Sequence, residues 1–158
     1  MSWLKKFTVI IALLSLALFV KGSTSVNPLQ KFDEFGDINC EDEWAHLDNF
    51  AIQLQHETSA KGIIIFYGGR LFRGRLPKRG EAAARAGRMK PYLVNLRGIP
   101  AERVVVINGG YSEAWKAELW IVSPGASMPT PNASVSANRV RFRKGRPSPR
   151  AFSCGGLG

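Results

Sequence analysis

The chain has 158 residues, a formal net charge of +10 and two cysteines. Once an N-terminal export segment is set aside, that length leaves one domain and no room for a second, and the cysteines allow at most one internal bridge. The charge falls in blocks: residues 31–57 carry eight acids against Lys31 alone, residues 61–103 carry eleven bases against Glu81 and Glu102, and the chain from Ser123 has six bases and no acid. Such polarity points to an anionic partner or to association between opposite patches.

Taken in chain order, residues 1–23 read as a signal peptide. Lys5 and Lys6 precede an uncharged apolar run from Phe7 to Val20, and small residues follow around Gly22 to Ser25. The run is shorter than the ~20 residues a bilayer span needs. Cleavage is expected between Ser23 and Val26; an uncleaved anchor is the alternative.

"KFDEFGDI" reads as an edge strand. Asn39 then caps a helix over about 41–56, whose first turn holds Glu41, Asp42 and Glu43, where carboxylates suit the positive helix end. Trp44, Leu47, Ala51 and Leu54 form its buried stripe. "KGIIIFYGG" is a continuous apolar strand, covered on both faces and so central.

A second helix spans about 80–97, with Ala82, Ala86, Met89, Leu93 and Leu96 facing inward. Pro91 should kink or split it, and Gly98 should stop it. "RVVVIN" is a third strand, "GGYSE" a turn and "KAELWIV" a fourth strand. The order β-α-β-α-β-β implies an α/β sandwich (α+β), with two helices packed on one face of a four-stranded mixed sheet. After Val122 the chain holds five of the nine prolines and few large apolar side chains, and residues 125–158 read as a flexible basic tail. In an oxidising compartment Cys40 and Cys154 can pair. Spacing alone leaves both the bridge and two free thiols open.

Catalytic chemistry finds little footing. His46 and His56 lie on different faces of one helix, no zinc-helix or nucleophile-elbow spacing occurs, and the acids of the first helical turn are explained by capping. The chain is expected to be a non-enzyme without metal or cofactor. The loop "YGGRLFRGRLPKRG" lacks the spacing of a phosphate-binding loop. It leads to a helix N-terminus, so a weak anion site supplied by Arg70, Arg73, Arg75, Lys78 and Arg79, with Phe72 alongside, is physically reasonable.

The stretch from Arg85 onward contains "RA" opening a helix, then "YLV", "RGIP" and "ERVVV", with "GGYSE" beyond. With the strand and glycine turn before them, these resemble the OmpA-like C-terminal domain of bacterial envelope proteins, over roughly residues 31–124. The resemblance implies non-covalent peptidoglycan binding in the periplasm or cell envelope, with an arginine and an aspartate holding the diaminopimelate of the stem peptide. The arginine falls on Arg85, whose guanidinium suits a carboxylate. At the aspartate's place stand Gly68 and Gly69. The resulting expectation is a groove where Arg85 and Arg88, with Arg70 or Arg73, take a carboxylate or other anion. Its partner is peptidoglycan or another anionic envelope polymer, with a non-catalytic role toward an envelope protein as the alternative. Nucleic acid is not an expected partner.

Overall fold

The computed structural model describes Leu29, residues 31–148 and Cys154. The expected signal peptide, residues 1–23, lies outside the described residues. Strand β1 (Lys31–Phe35) leads into helix α1 (Cys40–His56). Asn39 caps α1 as its side chain implies, with Oδ1 accepting the Asp42 N–H at 2.9 Å. At the far end Arg103 donates to the carbonyls of Leu54, Glu57 and Ala60, which satisfies acceptors a helix leaves open.

Strands β2 (Lys61–Gly69), β3 (Val104–Ser112) and β4 (Lys116–Val122) complete an α+β fold, a four-stranded mixed sheet ordered β1-β4-β2-β3. Only β2 and β3 run parallel. The apolar run of β2 is central, as its composition demands. "GGYSE" departs from expectation: its first four residues continue β3, across a register shift opposite Phe66 and Gly68. Gly109 permits this, because a Cβ there would lie 2.5 Å from the Tyr67 ring.

The helices share one face of the sheet. Leu47, Phe50 and Leu54 of α1 pack with Ile64, Met89, Leu93 and Leu119 in a single core. The expected second helix is broken into α2 (Glu81–Ala86) and α3 (Met89–Pro91), and α3 continues as a π-helical stretch, Tyr92–Leu96. The break at Gly87 and Arg88 puts Pro91 in the first turn of the new segment, where its missing N–H costs least. The wider π turn rotates the following side chains. Tyr92 is therefore buried, and Leu96, expected inside, is 48% exposed. Gly98 ends the run at φ 69°, a conformation that costs glycine little.

The basic tail is not the loose segment its composition suggests. Ala126 packs on the sheet's second face, against Ile63, Ile65, Tyr67 and Val122. The Asn132 N–H donates to Tyr67 Oη, and the Val135 N–H to the Tyr111 carbonyl. Val135 and Val140 are buried, and Arg143 donates its N–H to the Pro77 carbonyl. Cys154 closes the path in a disulfide with Cys40, 114 positions away, with Cα atoms 5.7 Å apart. Backbone hydrogen bonds and single apolar anchors hold this strap, so a paucity of apolar residues did not leave it free.

Candidate functional site

Arg85 ends α2 and points beneath the β1–α1 loop, where it is 1% exposed. Its Nη1 donates to Asp37 Oδ1, and Nη2 donates to the Ile38 carbonyl at 3.1 Å. The guanidinium lies over the Trp115 ring, 4.0 Å from its centroid, with Phe72 5.7 Å away on a short hairpin (Phe72–Arg75) in the loop between β2 and α2. Burial pulls the Arg85 guanidinium below its ordinary pKa, against the opposing effect of Asp37. Burial would raise the Asp37 carboxyl, but hydrogen bonds from Arg85 and Arg73 outweigh it and hold that group low. Among the described residues, Arg85 Nε and the Trp115 indole N–H are buried without an acceptor.

A second acid completes the cluster. Glu43, 0% exposed, receives Arg88 through two bonds, Nε to Oε1 at 2.7 Å and Nη2 to Oε2. Its Oε2 also lies 3.8 Å from Arg85 Nη2. Arg73 reaches Asp37 from outside at 3.2 Å, and its side chain is 68% exposed. The chain Arg73–Asp37–Arg85–Glu43–Arg88 thereby ties together the loop, the first turn of α1, both helical pieces and the hairpin.

This corrects the expected anion groove. Arg85, Arg88 and Arg73 do converge, but on the chain's own carboxylates, and Arg85 has no open mouth. Arg70 stands apart, at 3.3 Å from Glu113 on the surface. Glu43 is likewise more than a helix-end charge, being the buried partner of Arg88. The weak anion site before α2 is filled from within, because Glu81 Oε2 accepts the Lys78 N–H at 2.7 Å and Oε1 faces Arg143. Sequence reasoning missed Asp37, Glu43 and Trp115 as members of the cluster. The available signal was the opposition of an acidic block to a basic one, which describes internal pairing as well as it describes an external partner.

Elsewhere His46 Nδ1 meets Asp33 Oδ2 at 2.5 Å, and its ring stacks on Phe35. Among the described residues no group of three His, Cys, Asp or Glu side chains is placed to hold a metal ion, and no helix is long and apolar enough to cross a membrane. No protein-family model matches the chain, and comparison with curated proteins gives no match.

Proposed function

We propose that the chain is an exported envelope protein whose divergent OmpA-like domain binds peptidoglycan, or a related anionic envelope polymer, non-covalently and without catalysis. The observation that carries the reading is the contact of Asp37 with Arg85. The resemblance calls for an acid and a guanidinium side by side to hold a diaminopimelate group. Arg85 stands at the matching position, and an acid meets it, supplied by the β1–α1 loop instead of the turn after β2. The element order agrees with that family as well.

In this arrangement Arg85 is the support and Arg73 the moving part. Arg73 holds Asp37 through one exposed contact. A ligand ammonium that displaces it finds the Asp37 carboxylate, and the released Arg73 takes the ligand carboxylate. Sacculus co-sedimentation tests this. Arg73→Ala should weaken binding roughly tenfold or more, the loss of one charge-assisted contact. A soluble muropeptide carrying diaminopimelate should compete, and one carrying lysine, which lacks the second carboxylate, should not. Binding that ignores both changes would refute the site.

The burial of Arg85 favours a second reading, a non-catalytic scaffold that has kept the arginine for stability and lost the ligand. In that case any sacculus binding is diffuse, insensitive to Arg73→Ala and abolished by moderate salt.

A further inference from the structure

The loop between β2 and α2 contains a built hairpin. Phe72 and Arg75 exchange backbone hydrogen bonds at 2.8 and 3.1 Å, and both central residues, Arg73 and Gly74, have positive φ (49° and 73°). A two-residue turn of this hand gives a defined hairpin with alternating side-chain directions. Phe72 turns inward beside Trp115. Leu71 and Leu76, the next pair out, therefore share the opposite face, where they are 52% and 40% exposed.

Beside the two leucines the strap lays down charge. Arg70, Arg139 and Arg141 line the same groove, about 780 Å³ in volume, in which Glu113 is the one acidic side chain among the described residues and is paired with Arg70. Among the described residues Arg139 and Arg141 have no acidic partner. The groove is held in shape by Arg143, which donates to the carbonyls of both Leu76 and Pro77. Two exposed aliphatic side chains on a braced hairpin, flanked by unneutralised arginines, have the chemistry of a bilayer interface. The leucines suit the acyl boundary and the arginines suit anionic headgroups. A single-stranded nucleic acid would instead call for aromatic platforms, and the nearby aromatic rings are engaged, Phe72 inward and Phe142 under Arg79 and against Tyr111.

We infer that the Leu71/Leu76 face, with Arg139 and Arg141, is a docking surface for a bilayer rich in anionic phospholipid. It goes beyond the peptidoglycan reading, because it uses other residues and neither depends on the other. The test is co-sedimentation of the disulfide-bonded protein with phosphatidylcholine vesicles, with and without phosphatidylglycerol. Binding is expected only to the anionic vesicles. Arg139→Ala with Arg141→Ala should weaken it roughly thirty-fold, at about a factor of five per arginine. Leu71→Ser with Leu76→Ser should weaken it roughly tenfold through lost apolar burial. Sacculus binding should be unchanged by either pair, which separates this surface from the Asp37 rim. A Leu71→Trp variant should be quenched by bromine-labelled acyl chains more than the unsubstituted protein.

Loss of binding with the arginine pair but not the leucine pair would mean loose adsorption and would overturn the proposal. Equal binding of neutral vesicles, unaffected by any of these substitutions, would place the contact elsewhere and overturn it too. So would tighter capture by an acidic polypeptide or RNA than by the anionic vesicles.

Discussion

Replacing Glu43 with alanine separates a buried ion pair from a capping carboxylate, because the two roles differ several-fold in energy. A carboxylate in the first turn of a surface helix contributes about 0.3–1 kcal/mol through the helix dipole. Glu43 is fully buried, holds Arg88 through two bonds and faces Arg85. Its removal leaves Arg88 without that acid, and leaves the buried Arg85 with Asp37 alone. Breaking a buried pair from one side costs about 3–5 kcal/mol, since the remaining charge stays desolvated. For a domain of this size the melting temperature should fall by about 12–20 °C. Thermal and urea unfolding followed by circular dichroism measure both quantities. The cycle of Glu43→Ala, Arg88→Met and the double variant should give a coupling of about 2 kcal/mol. A cost below about 1 kcal/mol with no coupling would show that Glu43 acts only as a helix-end charge, and the network argument would fail.

Asp37 gives a pH signature. Its folded carboxyl is held below the ordinary value of 3.8, by hydrogen bonds that outweigh burial, so its stabilisation is complete above that value and is lost as pH falls through the lower folded one. The urea midpoint should drop on acidification below about pH 4, and less steeply in Asp37→Asn, which starts less stable. The disulfide closes a loop spanning 114 positions. On the chain-entropy model its removal costs up to about 5 kcal/mol. Cys154→Ser should lower the melting temperature and speed exchange of the strap amides at Val135 and Arg143 before those of β2.

The parts of the fold legible in sequence are those where one residue type has one physical use. The apolar run of β2 had to be central, Asn39 had to cap, and the stripe of α1 had to face the sheet. The π-helical stretch was hidden because tertiary pulls shape it: Tyr92 Oη and Arg97 both reach Asp48 on α1. The strap was hidden because backbone groups, which carry no sequence signature, make most of its attachments. For the site, Arg85 was expected to face an external carboxylate, and the structure sets the chain's own Asp37 against it. Nothing in linear spacing says that Asp37, 48 positions earlier, folds onto it. Two opposed charge blocks in one chain are as readily each other's partners as an external ligand's.

The bond between Cys40 and Cys154 makes most of the protein a covalent ring. A ring forgives a single cut: a protease that opens one exposed loop between these residues leaves two pieces that stay joined and can remain assembled. It also imposes an order on biogenesis. The ring cannot close until residue 154 has emerged, by which point all of β1 through β4 is already available to fold.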